Sequence, residues 1–242
     1  MEDERLAIIE AMKKKKADMK KVNEMMVGTF SLRRKYIVEQ QPPVAEVKTK
    51  WPALFTEIQI EAEFIRITSA DLRGSLFSGL EQHLPRVLEL YRARIGSCPE
   101  LKKVLSMLDD DNSNQMKRAV ILRGLPYFLC EDPSKFLRST EATETEDSMA
   151  RDMNVGILLV KEGEELLDVS VVLEDQIILH GIKDYSHAVA MLMGLLYALN
   201  IDYPKELQHT FEVIQKVLMN IGGEHCSARV HGLRNRLLRK TV

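Results

Sequence analysis

The chain has 242 residues, of which 45% are hydrophobic and 29% are charged. This length and composition allow one large domain or two modest ones with a substantial buried core, and they exclude a disordered tail. The 34 basic and 36 acidic residues nearly cancel, so the chain as a whole has no net charge that would draw it to nucleic acid or an anionic membrane.

The cysteines and the N-terminal residues narrow the class of protein further. Cys98, Cys130 and Cys226 are odd in number, far apart and without zinc-finger spacing, which predicts three reduced thiols with no disulfide framework or metal cluster. The first residues are charged where a secretory signal needs an apolar core, and no run reaches the roughly 20 apolar residues of a membrane span. We therefore expect a soluble intracellular protein, cytoplasmic or nuclear.

The first part of the chain has helical periodicity. Apolar residues recur every three to four positions from Leu6 to Met26, with lysines on the other face, which predicts an amphipathic helix. Residues 1–22 are thus expected to form a basic helical arm that either docks on the body or projects from it. Helical patterns continue, interrupted at Pro42-Pro43, and they predict a helical domain over residues 23–138.

The pattern changes after residue 138. Residues 139–152 are polar and acidic, which predicts a linker or long loop. Three short β-branched runs then predict a small antiparallel β-meander, packed by the C-terminal helices of residues 153–242, the last of which is a basic helix from Ser227 to Lys240. The predicted fold class is α+β, predominantly α-helical.

A set of short motifs resembles one family. The motifs are Phe30-Ser31-Leu32-Arg33-Arg34, Trp51-Pro52-Ala53-Leu54-Phe55, Phe64 to Thr68, Gly194 to Asn200, Tyr203 to Leu207 and Thr210 to Lys216. In this order they resemble the C-terminal region of sterile alpha motif domain-containing protein three-like proteins, over roughly residues 20–238. The resemblance implies no activity, ligand or catalytic residue. The sterile alpha motif domain itself is not found among these residues, so its polymerisation is not implied either.

Possible metal sites fail on spacing. Asp109, Asp111 and Ser113 imitate the start of a calcium loop, but Asn114 replaces the required glycine and Val120 stands at the closing carboxylate position. A solvated loop between helices explains these residues better.

Two further patterns are better explained by structure than by chemistry. His225 and Cys226 are adjacent and lack a second paired motif, which argues against a zinc site. Asp184, Ser186 and His187 imitate a catalytic triad, but neighbours at a helix start diverge, and helix capping explains them more simply. We predict no catalytic, cofactor-binding or metal-binding residue, and no cofactor.

Two basic elements remain as candidate contacts for a polyanion or a protein partner. Their residues are Lys13, Lys14, Lys15, Lys16, Arg33, Arg34, Arg234, Arg236 and Arg239. The leading hypothesis is a non-enzymatic protein-interaction or scaffold module with an unknown protein partner and no membrane contact. The alternative is a nucleic-acid-associated regulatory factor that uses the basic N- and C-terminal helices. A third hypothesis, an enzyme of unrecognised type, would need a pocket that gathers residues such as His180, Asp184 and His209. The oligomeric state stays open.

Overall fold

The computed structural model describes residues 2–163 and 165–239. Its α-helices are α1 Glu2–Met12, α2 Met19–Gly28, α3 Phe30–Gln40, α4 Val44–Lys50, α5 Glu57–Thr68, α6 Leu72–Arg94, α7 Glu100–Asp110, α8 Asn114–Leu129, α9 Glu146–Ala150, α10 Tyr185–Leu199, α11 Gln208–Val213 and α12 Ala228–Leu238. Its strands are β1 Leu137–Glu141, β2 Val155–Glu162, β3 Glu165–Leu173 and β4 Gln176–Leu179. Short 3₁₀ turns at Pro52–Phe55, Pro133–Lys135 and Lys205–Leu207 join helices and strands, and α11 continues into a π-helical turn at Ile214–Leu218. The predicted class, α+β and predominantly helical, is confirmed.

The N-terminal helix is interrupted and docked on the body. Where one helix from Leu6 to Met26 was predicted, the chain turns at Lys13–Lys16, and the Asp18 side chain caps α2. The Asp18 side chain accepts hydrogen bonds from the Lys20 and Lys21 amides, which favours a new helix start at Met19. Ile8 on α1 and Val22 on α2 are fully buried in one core, whereas Leu6, at the start of the predicted stripe, is 50% exposed. α1 packs on α2 and on the Pro52–Phe55 turn, so it does not project.

Helix α10 is the centre of the molecule. Nearly all of its residues are buried, and it packs against α3, α5, α6 and α8 on the helical side and against β2 and β3 on the other. Asp184 caps its first turn by accepting a hydrogen bond from the His187 amide, as the sequence predicts. One hydrophobic core, from Ile8 to Leu237, therefore joins the helical part to the sheet.

The sheet is mixed and has the order β1-β2-β3-β4. β2, β3 and β4 form the predicted antiparallel meander, while β1 pairs parallel to β2, with Leu137 opposite Ile157. Both faces of β2 are covered: Ile157 faces the main core, and its neighbour Leu158 packs with Met149 and Met153 on the other side. Burial on both faces explains why β2 is a continuous apolar run.

Residues 139–152 differ from the predicted linker or loop. They contain most of β1, an edge strand joined to β2 through its backbone, and the whole of α9. Thr145 caps α9, and Met149 and Ala150 are buried under the sheet. Edge strands tolerate polar side chains because the backbone makes the pairing, so the sequence carried little strand signal here. None of the helices in the described ranges is both long and apolar enough to cross a membrane.

Candidate interaction surfaces and a polar cleft

The Lys13–Lys16 turn stands at the tip of an antiparallel helix pair. A Cβ on Gly28, at the end of α2, would lie 3.2 Å from Glu4 Oε1, which places the start of α1 beside the end of α2. All four lysines of the turn are exposed. Lys13 Nζ lies 2.6 Å from Glu10 Oε1, whereas no described carboxylate pairs with the three lysines that follow. The turn therefore presents uncompensated positive charge to solvent.

Arg33 lies in the interior, away from any external polyanion. It is fully buried and forms a bidentate pair with the equally buried Glu63, with Nε to Oε1 at 2.8 Å and Nη2 to Oε2 at 2.6 Å. The Met26 carbonyl, the Met26 sulfur and the Thr29 hydroxyl accept its remaining hydrogen bonds, and its guanidinium lies 5.2 Å from the Trp51 ring centroid. The predicted surface role of Arg33 is corrected accordingly: this arginine joins α2, α3 and α5.

Arg34 is also used inside the fold. Its guanidinium donates to the Tyr197 carbonyl at 2.9 Å and to the Asn200 side chain at 3.0 Å, at the C-terminal end of α10. A cation in this position satisfies free carbonyl groups and interacts favourably with the helix dipole. Burial lowers the pKa of Arg34, and the nearby Glu63 carboxylate opposes that effect.

The C-terminal arginines are divided between structure and surface. Arg234 donates to the Gly223 carbonyl, whereas Arg236 is exposed, donates to the Gly232 carbonyl and lies 5.3 Å from the Phe128 ring centroid. Arg239 is exposed at the end of the described chain. Lys240, the predicted end of this basic helix, lies outside the described residues.

The histidines and carboxylates considered for chemistry lie in separate places. His187 Nδ1 is 2.8 Å from Asp184, and His209 Nδ1 is 2.9 Å from Glu131. His180 approaches neither pair and lies 3.8 Å from Asp168. Within residues 2–163 and 165–239, no set of three His, Cys, Asp or Glu side chains is arranged to hold a metal ion.

The remaining candidate residues have local structural roles. Ser186 is buried beside the Asp184–His187 pair, and its hydroxyl has no partner among the described residues. Asp111 accepts hydrogen bonds from the Ser113 amide and hydroxyl, and Ser113 in turn caps α8. The calcium-like stretch is thus a capped loop between α7 and α8.

A polar cleft that sequence reasoning missed lies between α7, α8 and the segment that leads into β1. Its volume is about 430 Å³. Its charged or hydroxyl-bearing walls come from Glu100, Lys103, Arg123, Ser134 and Tyr185, and its apolar walls from Val104, Met107, Pro126, Tyr127, Pro133, Phe136 and Leu137.

Two donors in this cleft lack partners. Arg123 Nε and Tyr185 Oη are sealed from solvent, and neither makes a hydrogen bond to a described residue. The Arg123 guanidinium lies 5.2 Å from the Tyr185 ring centroid, and its Nη1 reaches only the thioether sulfur of Met107, at 3.9 Å. Burial raises the pKa of Tyr185 far above its usual range, so its hydroxyl stays protonated. A lone arginine within the apolar residues 119–129 is the sequence signal that could have pointed to this site, but it was not used.

The comparison with protein families found a match in the first quarter of the chain. Residues 1–56 match the family model described as sterile alpha motif domain-containing protein 3, helical domain. No curated protein and no solved structure matches the chain significantly. The matched segment comprises α1 to α4 and the turn at Pro52–Phe55, and it includes the Phe30 and Trp51 motifs of the predicted resemblance. The match confirms the predicted resemblance within residues 1–56, which are similar to the helical domain of the sterile alpha motif domain-containing protein 3 family.

Proposed function

We propose that the protein is a non-enzymatic protein-interaction module whose Lys13–Lys16 turn contacts an acidic surface on a protein partner. The observation that carries this proposal is the uncompensated charge of Lys14, Lys15 and Lys16 at the tip of a docked helix pair. A positively charged tip favours encounter with a negative partner surface. The match of residues 1–56 to a helical domain family is compatible with such a module.

The polar side chains in the interior support a structural role over a catalytic one. The carboxylates of Glu63, Glu131 and Asp184 are each held by hydrogen bonds within the fold. General acid–base catalysis needs a titratable group that can reach a substrate. In these three clusters the titratable groups bind one another or the ends of helices.

The alternative, a nucleic-acid-associated factor, has less support than it had from the sequence. Arg33, Arg34 and Arg234 are committed to partners inside the fold, which removes them from a basic surface. The turn, Arg236 and Arg239 stay available.

The test is co-purification from cells with the turn changed to glutamine at all four lysines, Lys13→Gln to Lys16→Gln. A matched control carries Lys35→Gln, Lys48→Gln, Lys102→Gln and Lys183→Gln, four exposed lysines on three different helices and one loop, and has the same net charge. We expect a partner that the wild type and the control retain, that the turn variant loses by at least about tenfold, and that raised salt weakens.

Two results would count against the proposal. One is a wild-type chain that retains no protein above background. The other is a partner that the turn variant and the control bind equally. Steeply salt-dependent binding of duplex or single-stranded oligonucleotides to the wild type, in the absence of a protein partner, would favour the nucleic-acid alternative.

A further inference from the structure

We propose that the cleft between α7 and α8 binds a small organic carboxylate with a compact apolar body, whose carboxylate sits on the Arg123 guanidinium and the Tyr185 hydroxyl. This inference does not depend on the proposed interaction with a protein partner, because the cleft and the Lys13–Lys16 turn are formed by different elements.

The hydrogen bonding of the arginines carries the proposal. Each other described arginine that is not fully exposed donates to an oxygen atom of the protein. The arginines that donate in this way are Arg5, Arg33, Arg34, Arg66, Arg73, Arg86, Arg94, Arg118, Arg138 and Arg234. Arg123 differs from these arginines because it has no oxygen acceptor among the described residues, although its Nε is sealed from solvent. A guanidinium offers five N–H donors in a planar fork that fits a carboxylate, so a ligand with this group supplies what the fold leaves out.

Tyr185 supplies a second, independent indication. The residue is 4% exposed and is one of those that line the same cleft, and its hydroxyl has no hydrogen-bond partner among the described residues. A buried hydroxyl that lacks a hydrogen bond is unfavourable, and most native folds avoid it. Because this hydroxyl keeps its proton, it donates to an anion and repels no negative charge.

The walls of the cleft define the rest of the ligand. Val104, Met107, Pro126, Phe136 and Leu137 offer apolar contacts, so the body of the ligand is apolar. Lys103 adds a second positive charge near the rim, while Glu100 disfavours a ligand with several negative charges. A volume of about 430 Å³ lies in the range of small-molecule sites and suits a short aliphatic chain or a single ring.

Met107 is the residue that a ligand carboxylate displaces to reach Arg123. Its flexible thioether lies against Arg123 Nη1 at a distance too long for a strong hydrogen bond. A ligand carboxylate that displaces this sulfur gains a charge-assisted hydrogen bond in exchange for a weak contact.

The experiment measures thermal unfolding and ¹H–¹⁵N spectra of the whole chain during titration with hexanoate and with N-acetyl-leucine. Hexanamide and N-acetyl-leucinamide serve as neutral controls, and inorganic phosphate serves as an anion without an apolar body. We expect both carboxylates to raise the unfolding temperature with saturation, and the amides and phosphate to leave it unchanged. Hexanoate represents a free metabolite and N-acetyl-leucine represents a protein C-terminus, so their relative affinities distinguish the two sources.

Three variants assign the effect to the cleft. Arg123→Met should weaken carboxylate binding at least about tenfold, and Tyr185→Phe, which keeps the ring, should weaken it several-fold, to about tenfold. Arg92→Met, at an exposed arginine on α6, is the matched control and should bind as the wild type does. If Arg123→Met does not fold, Tyr185→Phe still decides the question.

The proposal fails if neither carboxylate saturates, if the amides or phosphate bind as tightly as the carboxylates, or if Arg123→Met and Tyr185→Phe bind hexanoate as well as Arg92→Met does.

Discussion

Two arginines in different regions of this molecule show how one type of side chain takes opposite roles. Arg33, where α2, α3 and α5 meet, is fully buried and has oxygen acceptors on three different residues. Arg123, in the cleft lined by α7 and α8, has a methionine sulfur as its only hydrogen-bond acceptor among the described residues. A buried cation must be compensated by hydrogen bonds, or its desolvation stays uncompensated. The first arginine is therefore part of the structure, while the second is available to something outside the chain.

The largest expected effect comes from removing the compensated arginine. Arg33→Met leaves the Glu63 carboxylate buried with Arg66 as its remaining ion-pair partner, and we expect the free energy of unfolding to fall by about 3–5 kcal/mol. Urea unfolding followed by circular dichroism measures this loss.

Arg123→Met is the matched control for this change. It removes an uncompensated cation together with one cation–π contact to Tyr185, so we expect a change within about 1 kcal/mol in either direction. Equal losses in the two variants would show that the comparison between the arginines is mistaken.

Sequence reasoning could not separate these two arginines. Arg33 stands in the run Arg33-Arg34-Lys35, which is typical of a basic surface, and its partner Glu63 lies 30 residues away along the chain. Only the packing of α3 and α5 on α10 brings the two together. Arg123 is surrounded by apolar residues, which are typical of a buried helix and give no indication that the arginine lacks a partner.

The prediction of the fold succeeded where local signals were strong. Asp184 as a cap and the apolar residues that follow it specified α10, and three β-branched runs specified the antiparallel meander. β1 escaped prediction because its pairing with β2 is made by backbone groups 20 residues apart. The break at Lys13–Lys16 escaped prediction because Met12 and Met19, seven residues apart, keep the apolar pattern in phase across it, so that pattern does not mark where α1 ends.

Glu131 is a second charge that hydrogen bonds compensate inside the fold, and we expect its substitution to change stability by an intermediate amount. The Glu131 carboxylate accepts hydrogen bonds from the amides of His209 and Thr210 and from the Thr210 hydroxyl, and thereby joins the end of α8 to the start of α11. Glu131→Gln places an amide group against these donors, and we expect a loss of about 2 kcal/mol in the free energy of unfolding. Glu224→Gln, at an exposed carboxylate, is the control and should change little. An equally small loss in the free energy of unfolding in both variants would show that these hydrogen bonds do not compensate the Glu131 charge.

Substitution of His83 is expected to change stability least. This residue shows a third way in which the fold accommodates a buried basic side chain. It is 8% exposed and makes no hydrogen bond to a described residue, and burial lowers its pKa below the usual value. Unlike Arg123, a histidine can release its proton, so the folded protein avoids the uncompensated charge by keeping the ring neutral.

The pH dependence of stability follows from this shift. Above the unfolded pKa of about 6.5, His83 is neutral in both states and its contribution is fully present. As the pH falls through the folded pKa, the unfolded chain binds a proton that the folded chain resists, so stability is lost. We expect His83→Gln to lose less stability than the wild type between about pH 7.5 and pH 5 in urea unfolding, while His225→Gln, at an exposed histidine, follows the wild type. Parallel pH dependences of stability in all three proteins would mean that His83 is protonated inside the fold at no cost. In that case a buried cation without a hydrogen-bond partner, such as Arg123, would no longer indicate a missing partner.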